Sequence, residues 1–408
     1  MSKLDDIDFI KKLDKSDMHH LITHLPEQLF WSLDLKINGE GFETNPSNVV
    51  ICGMGGSAIS GDIVKVLFGD KIPITVVKDY TVPSFVPNDT PPTVPSFVPN
   101  DTPHTVQTHL CCPSESLYII VSYSGNTIEA IECLNQAMKI TNNIVAITSG
   151  GKIKEIVNGK YPCIDLPAGF PPRAAIGYLF FSILKVLEAY QLIPGHTREI
   201  KHLIANLMRK AGPLCFKTEK EMNLAKSSAE TIFPKIPIIY SSNPTLAPVA
   251  YRWKCQINEN AKIPAFCNTF PEMFHNEIEA WEKKEFTERF IPIFLRSFHD
   301  KKNYSDMTRL FQSMLEKKNI DYLEFYGDTS KPPLCSEASG GGREENTHFL
   351  HGMPCSSDEE RAKSGDHRLQ DIFTLIYLGD MISFYLAILN NVDPTEINNI
   401  NYLKNKLT

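Results

Sequence analysis

Residues 117–131 read LYIIVSYSGNTIEAI, and the rest of the chain is read outward from them. Leu117 to Val121 form a short apolar, β-branched run with the character of a buried strand, and from Ile128 the apolar residues fall at helical spacing. The turn between them is rich in hydroxyls. Ser122, Ser124, Gly125, Asn126 and Thr127 offer hydroxyl donors, backbone freedom at Gly125 and the unpaired amide hydrogens of a helix start, a combination that attracts a phosphate. A second strand-turn-helix lies upstream, where Asn48 to Cys52 lead into Gly53-Met54-Gly55-Gly56-Ser57-Ala58 and an apolar helical stretch through Phe68. In an open parallel sheet the loops at the carboxyl ends of the strands share an edge, so two such loops can face one ligand where strand order reverses.

The bulk numbers narrow the field. A chain of 408 residues exceeds one ordinary core, and two domains are expected. The formal charge of -7, from 41 basic against 48 acidic residues, carries no basic excess of the kind that binds nucleic acid. No apolar stretch reads as a membrane span; the best, Ile176 to Leu187, includes Lys185 and reads as a buried helix. Lys3, Asp5, Asp6 and Asp8 interrupt any early apolar run, so a soluble, cytoplasmic protein is expected. The ten cysteines are scattered, several in apolar patterns, and read as reduced and mostly buried.

Taken in order, residues 1–47 read as charged helices packing on the first domain, with Leu21, Ile22, Leu25, Leu29 and Trp31 on the packing face. From 48 to 190, strand candidates (Val49 to Cys52, Ile74 to Val77, Leu117 to Val121, Ile144 to Thr148) alternate with helices, which implies a parallel sheet covered on both faces. A tandem repeat interrupts them: TVPSFVPNDTPP at 81–92, then TVPSFVPNDTPH at 93–104, too proline-rich for helix or central strand. It reads as a looped-out local duplication that could screen the ligand edge. A second domain, 198–395, repeats the architecture with strands at Ile236 to Tyr240, Phe290 to Leu295 and Tyr322 to Tyr326. Residues 328–366, with Lys331-Pro332-Pro333 and Ser339-Gly340-Gly341-Gly342, form a flexible insertion before an apolar helix at Leu369 to Leu389 and a tail at 396–408.

Assembled, CGMGGSAISGD, KDYTVPSFV, SYSGNTIEA, PPRAAIGYLF, APVAYRWKCQINENAKIPAF, FPEMFHNEIEAW, YLGDMISFYLA and the VDP near the end make the chain resemble the bifunctional phosphoglucose/phosphomannose isomerase family. The resemblance implies an α/β fold of two tandem sugar isomerase (SIS) domains, each a flavodoxin-like parallel sheet with helices on both faces. It implies reversible conversion of glucose 6-phosphate or mannose 6-phosphate to fructose 6-phosphate, with no cofactor, metal or nucleotide. By motif match, Gly55, Gly56 and Ser57 with Ser122, Ser124 and Thr127 would hold the sugar and phosphate, and Arg173 would face the reacting carbons. Glu259 of NEN would be the proton-transferring base, His275 of FHNE the ring-opening acid, and Lys404 of the tail a second ring-handling group. A homodimer is implied, with His275 contributed across the interface.

The chemistry suits these residue types. Moving a carbonyl between C1 and C2 needs one base to take a carbon-bound proton and return it next door, and partial burial tunes a glutamate toward that task. An arginine is a permanent cation able to counter the charge of an enediolate. Histidine can protonate a ring oxygen near neutral pH. Pro271 would open a helix on which Glu272 and Glu279 flank His275 at i-3 and i+4, either to orient it or as surface pairs. Ordinary readings stand beside these: a solvated helix-end Glu259, a surface-paired Arg173, a solvated Lys404 in the tail, hydroxyls that merely cap.

Other classes fit less of the chain. Cys335, His348, His351 and Cys355 depart from zinc-finger spacing. Gly53-x-Gly55-x-x-Ala58 with Asp79 partly matches a dinucleotide fingerprint but leaves SYSGNT and the second domain unexplained. Gly56-x-x-x-x-Gly61 is followed by Asp62, where a P-loop requires lysine. A sugar-phosphate sensor without chemistry is the alternative, opposed by the joint presence of Glu259, Arg173 and His275.

Overall fold

The computed structural model describes residues 2–37, 46–83, 113–327 and 367–407. Most of the duplicated segment and all of the 328–366 insertion, including its cysteine and histidine residues, lie outside the described residues. The chain divides into two units: Asp34–Gly195, and Met1–Leu33 together with His196–Thr408.

It begins with three short helices, α1 (Ile7–Leu13), α2 (Met18–Thr23) and α3 (Leu25–Leu33). The Asp34–Gly195 unit follows as β1 (Asn48–Cys52), α4 (Gly56–Phe68), β2 (Ile74–Val77), β3 (Ser116–Val121), α5 (Ile128–Ala137), β4 (Ile144–Thr148), α6 (Gly151–Val157), β5 (Cys163–Asp165) and α7 (Ile176–Ala189). The strands pair in parallel in the order β2-β1-β3-β4-β5. Every residue of β1, β3 and β4 is buried, as expected of central strands covered by helices on both faces. Tyr118, Ile120, Leu134, Ala146 and Ile153 carry the core between the sheet and α5 and α6.

The other unit continues with α8 (Thr197–Leu214), α9 (Leu224–Ile232), β6 (Ile236–Ser241), α10 (Ala247–Gln256), β7 (Phe266–Thr269), α11 (Lys284–Thr287), β8 (Phe290–Arg296), α12 (Lys302–Lys317), β9 (Leu323–Tyr326), α13 (His367–Leu389) and α14 (Asn398–Leu407). Its parallel sheet runs β7-β6-β8-β9. Tyr240, Phe270, Trp281, Phe294 and Phe311 interlock edge to face on one side of it.

Two expectations are corrected. The amino-terminal helices pack not on the first domain but on the unit that ends the chain, where α2 meets α13 and α3 meets α8. Polar anchors fix this choice. Lys226 Nζ lies 2.9 Å from Asp5 Oδ1, Ser2 Oγ donates to Glu230, and the Phe216 amide donates to His19 Nε2, whose ring sits edge-on to Phe216 and Phe384. Second, α13 is long and apolar enough to cross a membrane by length and composition, against the expectation that no stretch is. Its most apolar window is 94% buried inside the fold, so it is apolar all round because it is surrounded by protein.

Candidate functional site

In the first sheet the strand order reverses between β1 and β3, and in such sheets the crevice beyond the carboxyl ends at that point takes the ligand. Cys52 at the end of β1 pairs with Ile120 of β3, so the two following turns leave the same edge side by side. In the first turn Gly55 adopts φ 53° and ψ -124°, a backbone that favours glycine, and α4 starts without a side-chain cap. Ser57 is buried. A Cβ on Gly56 would lie 3.0 Å from the Pro172 carbonyl oxygen and 3.7 Å from Arg173 Cα. The Pro172–Ala174 turn therefore abuts this loop and sets Arg173, 5% exposed, beside it.

The second turn is SYSGNT. Ser122 Oγ accepts from the Gly125 amide at 3.1 Å and lies 2.9 Å from Thr127 Oγ1, while Ser124 Oγ accepts from the Asn126 amide at 3.3 Å. Thr127 occupies the N-cap of α5 but makes no side-chain bond to the helix, so the first amides of α5 are left uncapped. The loop between β4 and α6 clasps this turn. Gly125 is at φ 67°, and a Cβ there would fall on the Gly150 carbonyl and 2.8 Å from Thr148 Oγ1. Ser149 donates its amide and hydroxyl to the Tyr123 carbonyl at 2.9 and 2.6 Å, and the Lys152 amide donates to Asn126 Oδ1 at 3.0 Å. Gly55, Gly56, Ser57, Ser122, Ser124, Thr127 and Arg173 thus belong to one cradle. Two uncapped helix starts, hydroxyls and a buried guanidinium are suited to an anion that also carries hydroxyl groups.

Glu259, His275 and Lys404 all belong to the other unit. α10 ends in a π-helical turn, Ile257–Ala261, which carries the half-buried Glu259. Such turns are rare and recur at functional sites. This one is pinned: Asn260 Nδ2 donates to Ser383 Oγ at 2.9 Å, and Asn390 Nδ2 to the Ala261 carbonyl at 2.8 Å. Two turns before Glu259, Arg252 makes a buried two-pronged contact with Asp380, Nε to Oδ1 at 3.1 Å and Nη2 to Oδ2 at 2.6 Å. Burial pushes the Asp380 carboxyl up, and Arg252 and Gln256 act against that. The sequence reading missed these supports, although Asp380 and Ser383 stand out as polar residues within an apolar helix.

His275 ends a tight Glu272–His275 turn just after β7 and is exposed. The expected longer helix does not form: Asn276, at φ -152° and ψ -67°, ends the helical turn there, so Glu279 lies in a separate turn. Glu272 accepts from Asn276 Nδ2 at 3.2 Å, and the imidazole has no hydrogen-bond partner among the described residues. Glu277 ties this segment to the sheet by accepting from Tyr240 and Asn268, and Trp281 Nε1 donates to the Tyr240 hydroxyl at 3.0 Å.

The Glu259 turn precedes β7 and the His275 turn follows it, so within this unit the two sit at opposite edges of the sheet. The four residues of the strand alone separate them by roughly 13 Å. Lys404 is exposed on α14.

Residues 221–340 and 357–407 match the family model described as "Bacterial phospho-glucose isomerase C-terminal SIS domain". The chain is 31% identical over 401 residues to "Bifunctional phosphoglucose/phosphomannose isomerase" of Caldicellulosiruptor bescii, which covers 96% of this chain and 98% of that protein. It is 35% identical over 186 residues to "D-glucosamine-6-phosphate 4-epimerase" of Sulfolobus acidocaldarius, covering 45% of this chain and 56% of that one. Among solved structures, the "C-terminal domain of glucosamine-fructose-6-phosphate aminotransferase from Francisella tularensis" shares the fold, with a TM-score of 0.61 at 14% identity over 93% of this chain and 98% of that one.

Proposed function

Because this chain belongs to the bifunctional phosphoglucose/phosphomannose isomerase family, we propose that it interconverts glucose 6-phosphate and mannose 6-phosphate with fructose 6-phosphate. The observation that carries this reading is the pair of uncapped, serine-bearing turns on one sheet edge with Arg173 beside them. The phosphate is held by Ser122, Ser124, Thr127 and the first amides of α5, and the sugar lies against Gly55, Gly56 and Ser57. Glu259 takes the proton from C2 of the open aldose and returns it to C1. In between, an enediolate forms, and Arg173 counters its charge in a place sheltered from water. The substrate is its own oxidant and reductant, so the step needs no redox cofactor.

Hexose phosphates are mostly closed rings, and we assign ring opening to His275 acting from the partner subunit of a homodimer, with Lys404 as a second ring-handling group. The separation of Glu259 and His275 by the length of β7 supports a site completed by two chains. Cytoplasmic residence is part of the same proposal.

The test supplies fructose 6-phosphate and follows glucose 6-phosphate and mannose 6-phosphate separately, then repeats the assay with Glu259→Gln. A loss of about 10²–10⁴-fold is expected, the usual contribution of a general base. Unchanged turnover would remove Glu259 from its role. A parallel incubation with glucosamine 6-phosphate addresses the epimerase relative: turnover of that sugar with none of fructose 6-phosphate would replace this reading.

A further inference from the structure

The second sheet has its own reversal of strand order, between β6 and β8, and the turns leaving the carboxyl ends of those strands enclose a cavity that the reaction above does not use. Its volume is about 360 Å³, within the range of small-molecule sites. Its polar floor is set in advance. Asp300, with a side chain 1% exposed, accepts from Ser242 Oγ at 2.6 Å, from Asn243 Nδ2 and from the Ser297 amide at 3.4 Å, with Arg296 Nε 3.6 Å away. Asn243 in turn accepts from the amides of Thr245 and Leu246, and Ser297 Oγ donates to Asp371 at 2.5 Å.

Above the floor the lining joins Pro244, Thr245, Leu246 and Tyr304 to two cations. Lys301 is exposed at the start of α12 and makes no ion pair among the described residues; that helix has no side-chain cap and no acid in its first turn. Arg368, from the first turn of α13, lines the cavity too. His299 and His367 stack with ring centroids 4.3 Å apart. Around this floor the Thr245, Tyr304, His299 and His367 side chains suit hydroxyl groups, whereas Lys301, Arg368 and an uncapped helix start suit a phosphate.

We propose that this cavity is a second binding site, separate from the cradle on the first sheet, for a small phosphate-bearing polyol. The inference rests on the cavity's own lining and stands independently of the isomerase reading.

Equilibrium binding of glucitol 6-phosphate to the full-length protein tests it, since that sugar alcohol has no carbonyl to isomerise. Two sites per chain are expected. Lys301→Glu should weaken one at least tenfold and leave the other, whereas Arg173→Ala should remove the other and leave the first. A Lys301-dependent site that persists when no Arg173-dependent site is found supports the cavity and counts against the first-sheet reading instead. Binding that Lys301→Glu leaves unchanged overturns the proposal. Inorganic phosphate is titrated alongside: binding at the Lys301-dependent site as tight as that of glucitol 6-phosphate overturns the polyol assignment. In the unsubstituted protein, glucitol 6-phosphate should slow amide exchange across 299–304, and no slowing there also overturns the proposal.

Discussion

Mixing two crippled variants, Glu259→Gln and His275→Ala, measures whether one site draws on two chains. Glu259 precedes β7 and His275 follows it, so roughly 13 Å of strand lies between them, while each must come within ~3 Å of its own atom of one sugar. If each site pairs Glu259 of one chain with His275 of the other, a heterodimer of the two variants contains one intact site and one doubly damaged site. Random reassociation makes about half of the dimers mixed, so activity should return to about a quarter of the unsubstituted protein's. Each parent alone should remain down by about 10²-fold or more. The assay is glucose 6-phosphate formation from fructose 6-phosphate after the mixture is dissociated and reassembled, with mass spectrometry to count heterodimers. Recovery no greater than the sum of the parents, with heterodimers present, would refute the two-chain site, as would a full rate for His275→Ala alone.

Two further outcomes follow from single positions. Gly125→Ala forces a Cβ at φ 67° into the Gly150 carbonyl, which should displace the phosphate turn at a cost of roughly 1–3 kcal/mol and raise KM for fructose 6-phosphate about tenfold or more; an unchanged KM would show that the clasp does not shape the site. His19, held neutral by burial with a pKa lowered from 6.5 to about 4, adds an acid sensitivity. Above pH 6.5 neither the folded nor the unfolded chain protonates it. As pH falls the unfolded chain takes the proton first, so stability declines until the folded protein also protonates near pH 4. Between pH 7 and pH 5 this costs about 2 kcal/mol, or about 4–8 °C in Tm, and His19→Gln should remove that part of the decline. Parallel melting curves for the two proteins across this range would contradict the assignment.

The cradle was legible in the sequence because each of its turns is local: a buried strand, a hydroxyl- or glycine-bearing turn and a helix follow one another within fifteen residues or so. Central strands such as β3 declare themselves by unbroken apolar runs. The edge strands β5 and β7 do not, since each is short and partly exposed; Phe266 of β7 is 54% exposed. Missing β7 hid the arrangement that matters most for mechanism, because matching NEN and FHNE to a family says nothing about the strand that runs between them. The helical face expected around His275 failed for a local reason, the non-helical backbone at Asn276. The attachment of the first helices was illegible because its determinants, among them Phe216, Lys226 and Phe384, lie hundreds of residues away.

That attachment bears on how the protein is made. The first three helices leave the ribosome at once, but α13, against which α2 packs, is completed only at Leu389. At ordinary translation speeds the delay is on the order of tens of seconds. Throughout it the apolar face of α2 around Met18 and Ile22 lacks its docking surface, while the intervening Asp34–Gly195 unit can already close its own sheet. Nascent chains stalled before residue 389 would therefore carry a finished middle and an unhoused beginning, the segment on which a chaperone would first act.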